Sequence, residues 1–571
     1  MRRYRAICVG VLLLAAGVVT TSSGAQAPAS PPQAERRPVA TATDRPATGA
    51  RHAPAGRGAS QANFEAPAAV DPATYAAEKA AARRGPAPGN PGAVALPSRR
   101  SGGSEPQVPS VSPSFTGLNR QTAVNNGSVF SPPDTIVAKS PTRILEGANS
   151  ALRLFTNTGG VIQTLDLNSF FGASTANGLL FDPKAFYDRN ATNPRMLVVA
   201  LQVAGRDDAI STNDVSRIWV AVSRSSNPAS LGSSDWCRYN IDGRREVGTS
   251  NVSWADYPEV GVGRDSFSFA MNNFRFTDDS FRFSYIHVWN KTIAENNAAS
   301  CPTIPRSVFT APGATAGNFS RFTIQPAQSY TSPSSFAGTT NPAYYMSTTR
   351  GQSNQYHVFR VRNVASGSPT ITGVTLTGGA YNIPPSSPQP SSSIVVDTGD
   401  NRMLQVAGIG NSLFGIFTSS CNFTVGTPNE SCSRSPRVSV GQNAMGGLTA
   451  SLVENRLAGF GDGVFAHHQS IATNTGLTSG STWEFSGSSN RLSSAAMIRN
   501  AGAAWAGVQT YAPGTCSLPA TAPSTTRARS GDYAGAQLDP TDITTFWLAG
   551  ERATTIGTSC QWETRVARLI P

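Results

Sequence analysis

The chain is poor in several residue types and motifs, and each scarcity argues against a class of function. Of its 46 basic residues only four are lysines, Lys79, Lys139, Lys184 and Lys291. It has no glycine-rich phosphate loop, GxSxG elbow or HExxH motif, which argues against a P-loop nucleotidase, an α/β-hydrolase and a zincin protease. Beyond the N-terminal segment, no apolar run is long enough to span a bilayer. We therefore predict no transmembrane segment.

The positive charge of the chain is concentrated at its N-terminus. Residues 1–100 hold 13 Lys and Arg against 5 Asp and Glu, whereas the remainder holds 33 against 29. Of the net charge of +12, a surplus of 8 therefore belongs to the first 100 residues and only 4 to the rest. Nucleic-acid-binding domains cluster their basic residues on the folded body. The sequence thus predicts no nucleic-acid partner.

The N-terminus has the pattern of a secretory signal peptide, which we assign to residues 1–25. Arg2, Arg3 and Arg5 form a basic region, an apolar stretch runs from Val9 to Val19, and small residues precede Gln26. The apolar stretch is too short for a membrane anchor. The pattern predicts a secreted or extracellular protein, with association to the cell wall as an open alternative.

The mature chain would keep six cysteines, and an even number in an exported protein indicates disulfides. No CxxC spacing suggests a zinc site. Six cysteines allow 15 pairings. Pairing nearest neighbours along the chain gives our prediction: Cys237 with Cys301, Cys421 with Cys432, and Cys516 with Cys560.

Residues 26–110 are rich in Ala, Pro, Gly, Ser and Arg and poor in large apolar side chains. Such a segment buries too little surface to offset its ordering entropy, so we predict a disordered arm, either a spacer or a cleaved propeptide. One island differs, because Asp71 can cap a helix, Pro72 suits its first position, and Ala-rich sequence runs from Ala73 to Arg84. A short helix is expected there.

Residues 111–571 form the predicted folded domain. Strand-like runs recur roughly every 8–15 residues between Gly, Pro, Asn and Ser. Examples are Arg195–Ala200 and Phe283–Trp289. No long amphipathic helix is evident. This pattern of short strand-like runs predicts an all-β domain.

A polar phrase followed by a strand-like run recurs seven times. The anchors are spaced 48, 74, 69, 75, 68 and 64 residues apart. A period of this kind indicates repeated four-stranded sheets and predicts a β-propeller of about seven blades, with six as an alternative. A strand between Ser112 and Phe130 would complete the last blade. The anchors are Asp134, Asp182, Asp256, Gln325, Asp400, His468 and Asp532.

Several phrases together resemble a family of bacterial secreted proteins, mostly uncharacterised, that are predicted to be sialidase-like β-propellers. The resemblance runs from about Ser131 to the C-terminus and implies a fold and export, without catalytic residues. Where relatives have an aromatic-Pro step, this chain has His467-His468. The phrases are Pro132–Thr135, Leu152–Gly160, Asp182-Pro183 with Tyr187-Asp188, Ala255–Pro258, Asp397–Asp400 with Arg402, Gly531–Tyr533, and Phe546-Trp547 through Glu551 to Trp562–Arg565.

If each anchor opens an innermost strand, the seven polar side chains ring one mouth of the channel. Carboxylates that converge there would suit a sugar or a hard cation such as Ca²⁺. The alternative is that each carboxylate only accepts hydrogen bonds from its own turn. The possible Ca²⁺ ligands are Asp134, Asp182, Asp256, Asp400 and Asp532.

Glycoside hydrolysis is the enzymatic alternative. A sialidase-like site would need a tyrosine, a carboxylate and clustered arginines in one pocket near the channel mouth. The Asp-box of sialidases is absent, since Ser481-Thr482-Trp483 is only a fragment of it.

Adjacent histidines on a strand face opposite sides, so His467 and His468 are not expected to share a metal. We expect one of them to be buried and the other exposed.

The leading hypothesis is a monomeric extracellular binding or scaffold module for a glycan or a protein. The alternatives are a sialidase-like glycoside hydrolase or lyase and a structural wall-associated protein.

Overall fold

The N-terminal arm forms regular elements that lie on the body. In the computed structural model, the structure describes residues 29–47, 70–86, 88–94, 96, 109–125, 132–189, 192–206, 213–296, 298–331, 342–521 and 525–571. The predicted signal peptide, residues 1–25, lies outside the described residues. The elements before residue 130 are β1 (Ala40–Asp44), α1 (Pro72–Arg84), β2 (Gly92–Ala93), β3 (Ser110–Asn119) and α2 (Arg120–Asn125).

Four antiparallel units follow in chain order, each built from strands that are neighbours along the chain. Unit 1 is β4 (Ile136–Lys139), β5 (Arg143–Ala148), β6 (Ala151–Thr156) and β7 (Val161–Asp166). Unit 2 is β8 (Leu180–Asp188), β9 (Arg195–Ala204), β10 (Val215–Ser223) and β11 (Trp236–Asp242). Unit 3 is β12 (Ser253–Val262), β13 (Ser266–Arg275), β14 (Phe281–Asn290) and β15 (Ile304–Thr310). Unit 4 is β16 (Gln325–Thr331), β17 (Ala343–Thr348), β18 (Ser353–Arg362) and β19 (Thr370–Tyr381).

Three further units complete the described chain. After β20 (Ser387–Gln389) and β21 (Ser392–Asp397), unit 5 is β22 (Met403–Ile409), β23 (Ser412–Cys421), β24 (Glu430–Gln442) and β25 (Leu448–Gly459). Unit 6 is β26 (Val464–Thr473), β27 (Thr478–Gly487), β28 (Asn490–Asn500) and β29 (Ala506–Ala512). After β30 (Arg527–Arg529), which pairs with β21, unit 7 is β31 (Gly535–Leu538), β32 (Phe546–Ile556), β33 (Ser559–Ile570) and β3. Short helices lie between these strands at α3 (Leu167–Phe171), α4 (Lys291–Asn296), Thr175–Asn177, Ala298–Ser300 and Phe319–Arg321.

The first strands of neighbouring units contact one another in the order β4, β8, β12, β16, β22, β26, β31, and β31 contacts β4 again. The β16 strand even pairs in parallel with β12 and β22. Between β4 and β31, the Lys139 N–H donates to Gln537 Oε1 over 2.8 Å. The described chain is thus mostly β-strand, as predicted, and its four-stranded units are arranged as in a propeller.

The β9 strand shows why strands in the middle of a unit have continuous apolar sequences rather than alternating apolar and polar residues. Leu197, Val199 and Leu201 pack into one hydrophobic cluster, whereas Met196 and Val198 pack into another. Successive side chains of a strand point to opposite faces, and here both faces are covered by neighbouring units. The sheet faces are therefore the core of the molecule.

The strand predicted from Ser112 to Phe130 is present only as far as Asn119, the end of β3, which pairs with β33 in an antiparallel register. Helix α2 follows it, and Phe130 lies outside the described residues. The disulfide predictions are confirmed: the six cysteines of the described residues pair as Cys237–Cys301, Cys421–Cys432 and Cys516–Cys560.

The prediction of disorder throughout residues 26–110 is wrong for the described parts of the arm. The β1 strand adds a fifth strand to unit 3 by pairing with β15, and β2 pairs with β25 of unit 5. Asp44 accepts hydrogen bonds from Trp289 Nε1 and Arg306 Nε, both over 2.7 Å. Strand addition satisfies backbone groups that composition alone does not reveal.

The predicted helix is confirmed as α1. Asp71 caps it by accepting from the N–H groups of Ala73 and Thr74 over 3.1 and 3.0 Å. Its buried side chains are Tyr75, Lys79 and Ala82, whose spacing of four and three places them on one helical face. Among the described residues, no helix is both long and apolar enough to cross a membrane.

Candidate functional site

A left-handed non-glycine residue lies at or near the start of the first strand in five of the seven units. Left-handed φ angles occur at Asp134 (51°), Asp182 (50°), Tyr257 (54°), Thr323 (51°) and His468 (46°). In units 2, 3 and 6 the pairing register also shifts at this point. Aspartate tolerates this region better than most residues because its short polar side chain can bond locally. The phrases of units 2, 3 and 6 therefore combine a left-handed residue with a bulged strand start.

Four of the predicted anchors line one small cavity of about 50 Å³ at this end of the first strands. They are Asp256, Asp400, His468 and Asp532. Tyr257, Arg402, Arg527 and Arg529 line the same cavity, together with Tyr75 from α1. The tyrosine, carboxylates and arginines expected of the enzymatic alternative therefore do meet in one place.

Asp134 and Asp182 lie beside this cavity and are joined by Asn149. The Asn149 Nδ2 group donates to Asp134 Oδ2 over 2.5 Å, and Asn149 Oδ1 accepts from the Asp182 N–H over 2.6 Å. Asp134 Oδ1 also accepts from the Asp532 N–H over 2.6 Å. Asp134 therefore links units 1 and 7 rather than locking its own turn, whereas Asp400 does accept from the nearby Arg402 N–H over 3.0 Å.

Gln325 departs from the predicted ring. It lines a separate cavity of about 20 Å³ together with Lys184 and Glu259. Lys184 pairs with Glu259 over 3.1 Å, and its Nζ lies 3.1 Å from the centre of the Tyr533 ring. Burial raises the pKa of Glu259 to about 7, with Lys184 opposing this effect. The anchors thus divide between two environments.

Three of the five anchor aspartates have raised pKa values. Burial, followed by the charges of Asp532 and Asp182, raises the pKa of Asp134 well above its ordinary value. Burial and Asp532 raise the pKa of Asp182 to about 6. Burial, Asp182 and Asp532 likewise raise the pKa of Asp256, whose Oδ1 has no hydrogen-bond partner among the described residues. These three carboxyl groups therefore keep their protons to a higher pH than an ordinary aspartate does.

Arginines reverse this effect at Asp400 and Asp532. Arg402 binds Asp400 through Nε and Nη2 over 2.7 and 2.9 Å. Burial alone would raise the pKa of Asp400, but Arg402 and then Arg350 hold it below its ordinary value. Arg529, which pairs with Asp532 over 2.5 Å, and then Arg402 outweigh burial in the same way and lower the pKa of Asp532.

The arginine pairing bears on the Ca²⁺ hypothesis. Asp400 and Asp532 already have cationic partners within the protein. A Ca²⁺ ion at this end would therefore rely on Asp134, Asp182 and Asp256. Oxygen ligands from these three acids remain a prediction.

Helix α1 covers the cavity. Tyr75 Oη donates to Asp397 Oδ1 over 2.8 Å, and Lys79 Nζ donates to Thr398 Oγ1 over 2.9 Å. Lys79 also pairs with Asp397 over 3.4 Å, and burial lowers the pKa of Lys79 to about 8. Glu78 accepts from both terminal nitrogens of Arg350 over 3.0 and 2.6 Å. Polar contacts hold α1 on the body.

The expectation that one of the adjacent histidines is exposed is wrong. His467 and His468 are both buried, and their Nδ1 atoms lie 3.1 Å apart. Glu484 Oε2 is 3.2 Å from His468 Nδ1. The left-handed backbone at His468 breaks the usual alternation of side chains along a strand.

Sequence reasoning missed Asn149, Glu484 and the covering role of α1. Asn149 and Glu484 lie outside the repeated phrases, so the spacing of those phrases did not indicate that either residue belongs to the site. For α1, the signal was available in the tyrosine and lysine spaced four residues apart on an otherwise Ala-rich helix.

No protein-family model matches the chain, and the curated proteins yield no significant match. Among solved structures, it is similar to a Fusarium graminearum α-L-arabinofuranosidase bound to an iminosugar inhibitor, with 8% identity over 79% of this chain and 98% of that one and a TM-score of 0.33. A Penicillium chrysogenum α-L-arabinanase has 9% identity, with the same coverage and a TM-score of 0.30. Drosophila Plexin A has 8% identity over 81% and 88% of the two chains and a TM-score of 0.25. At these scores the likeness assigns no function.

Proposed function

We propose that the seven units close into a seven-bladed β-propeller that works outside the cell. The contact of β31 with β4, together with the pairing of β3 with β33, supports closure. Three disulfides among the described residues suit an oxidising compartment.

The cavity beside Asp256 and Asp532 is the proposed active site of a glycoside hydrolase. The observation that carries this proposal is the opposite shift of two carboxylates on one cavity, since the pKa of Asp256 is raised and that of Asp532 is lowered. Glycoside hydrolysis needs one carboxylic acid and one carboxylate. Asp256 would donate a proton to the leaving oxygen, and Asp532 would attack the sugar carbon or activate water.

The tyrosine and arginines favour a neutral sugar over a sialic acid. Tyr257 Oη donates to the Asp532 carbonyl over 3.2 Å, and burial raises its pKa well above the ordinary value, which makes a poor nucleophile. Arg402 and Arg529 are each paired with a carboxylate of the protein. Neither guanidinium is left to bind an acidic substrate bidentately.

Substrate access requires α1 to leave. Ligand pockets usually enclose about 300–1,000 Å³, whereas this cavity measures about 50 Å³ beneath the helix. The arm is therefore proposed to cover the site until it is displaced or cleaved.

A charge reversal on α1 tests this function. Lys79→Glu places a second negative charge beside Asp397 and should release the helix, whereas Ala80→Glu introduces a glutamate at the exposed neighbouring position. Both variants are incubated with aryl glycosides and oligosaccharides of neutral sugars. We expect hydrolysis with Lys79→Glu only, and its loss when Asp256→Asn is added.

The pH profile adds a second criterion. Hydrolysis should fail at high pH as Asp256 loses its proton and at low pH as Asp532 gains one. A released helix without hydrolysis of any neutral glycoside would contradict the enzymatic proposal.

An extracellular binding module for a glycan or protein is the second candidate. The pairing of Arg402, Arg527 and Arg529 with Asp400, Asp397 and Asp532 supports it, because ion pairs can hold a rigid binding surface without supplying a catalytic group. Glycan binding by Lys79→Glu without turnover would select this candidate.

A further inference from the structure

A compact group of three metal-ligating side chains lies in unit 6, and one of them, His468, also lines the cavity of the proposed active site. His467 and His468 belong to β26, and Glu484 belongs to β27. Their side chains are at most 1% exposed. The Nδ1–Nδ1 distance is 3.1 Å, and Glu484 Oε2 lies 3.2 Å from His468 Nδ1 and 3.7 Å from His467 Nδ1.

The backbone brings these groups together. His467 pairs directly across the sheet with Glu484, and the register then shifts before Ser470. His468 has a left-handed φ of 46° within this irregular stretch. The bulge therefore turns two consecutive imidazoles toward the same carboxylate, against the alternation of a regular strand.

The distances match the spacing of ligands around one ion. Zinc binds imidazole nitrogen at about 2.0–2.1 Å and carboxylate oxygen at about 2.0–2.2 Å, so tetrahedral ligand atoms lie about 3.3–3.5 Å apart. The three distances here, 3.1, 3.2 and 3.7 Å, bracket that value.

Hydrogen bonding alone does not satisfy the three atoms. If His468 Nδ1 carries its proton and donates to Glu484, it cannot also accept from His467 Nδ1. The remaining distance from His467 Nδ1 to Glu484, 3.7 Å, is too long for a hydrogen bond. One cation would satisfy both nitrogens and the carboxylate at once.

We propose that His467 Nδ1, His468 Nδ1 and Glu484 Oε2 bind one divalent transition-metal ion. Two imidazoles and one carboxylate suit Zn²⁺ and other divalent first-row transition metals, whereas Ca²⁺ prefers oxygen ligands only. Ser530 Oγ lies 3.4 Å from Glu484 Oε2, and His468 borders the cavity, which leaves a polar approach for a fourth ligand.

The test uses the full chain stripped with a chelator and then titrated with Zn²⁺ or Co²⁺. We expect one ion per chain by elemental analysis, a rise in melting temperature with Zn²⁺, and the visible absorption of four-coordinate Co²⁺. None of these signals depends on hydrolysis, so they can succeed or fail independently of the proposed function.

Variants locate the site. Glu484→Gln keeps the shape of the side chain, and His468→Asn keeps a residue that tolerates a left-handed backbone. Loss of an outer-shell partner alone weakens binding by about 10–100-fold, so either change to a ligand should weaken Zn²⁺ binding by at least about 100-fold. His287→Gln, which changes another buried histidine, should leave binding intact.

The proposal is overturned if the full chain takes up no stoichiometric Zn²⁺ or Co²⁺, or if Glu484→Gln binds as the unmodified chain does. It is also overturned if Ca²⁺ raises the melting temperature and Zn²⁺ does not, since that result would point to Asp134, Asp182 and Asp256. The Co²⁺ spectrum of the unmodified chain keeps the test decisive even if a variant fails to fold.

Discussion

Two groups of anchor aspartates differ in the direction of their pKa shift. Asp134, Asp182 and Asp256, in units 1 to 3, have raised pKa values. Asp400 and Asp532, in units 5 and 7, have lowered pKa values. Asp400 is as buried as the first group, whereas the Asp532 side chain is 19% exposed. The difference lies in the bound arginines Arg402 and Arg529, each placed close to its aspartate along the chain. The neighbouring guanidinium therefore decides the direction of the pKa shift.

The largest effect should come from removing an arginine from the second group. Arg402→Met leaves Asp400 buried with a weaker partner, and breaking a buried pair costs about 3–5 kcal/mol. Urea unfolding measures the loss.

Asp242 and Arg244 provide the matched control, because they form the same Asp-x-Arg contacts at a more exposed position. Arg244→Met should cost about 1 kcal/mol or less. Equal losses in the two variants would show that burial does not govern these pairs.

The next-largest effect is a difference between the two groups of aspartates in how the free energy of unfolding depends on pH. The pKa of Asp182 is about 6 in the folded chain against an ordinary 3.8, so between these values the folded state holds more protons than the unfolded state. Stability should therefore fall as pH rises from about 4 to 6. Asp182→Asn should remove up to roughly 3 kcal/mol of that dependence.

Asp400→Asn should behave oppositely. Because the folded pKa of Asp400 is lowered, its ionised form contributes stability above the ordinary value of 3.8 and loses it as pH falls. Asp400→Asn should therefore destabilise the protein at pH 7, where Asp182→Asn does not. Urea unfolding at pH 4 and pH 7 compares the two variants, and parallel pH profiles would contradict the distinction.

The smallest expected effect concerns helix α1, which covers the cavity. Tyr75→Phe removes one buried hydrogen bond to ionised Asp397, worth about 1.5–3 kcal/mol. The loss should appear as faster hydrogen exchange of the α1 amides without an equal fall in global stability. Thr74→Ser, at an exposed position of the same helix, serves as the control. Unchanged exchange would mean that other contacts hold the helix.

The sequence by itself determined the features that depend on local pattern. Periodicity and spacing predicted the short strands, the places where the seven units begin and the three disulfide pairs. Capping chemistry predicted the helix that begins after Asp71. These properties depend on neighbours along the chain, which a single sequence displays.

Only the tertiary structure decided which side chains share an environment. Asp134 meets the backbone of Asp532 across 398 positions, Tyr75 meets Asp397 across 322, and a bulge turns His467 and His468 to one side. Charge and burial depend on contacts of this kind between units, because Coulomb energy and desolvation depend on distance in space rather than along the chain. The period located the acids, and the packing of the units determined which of them hold a charge.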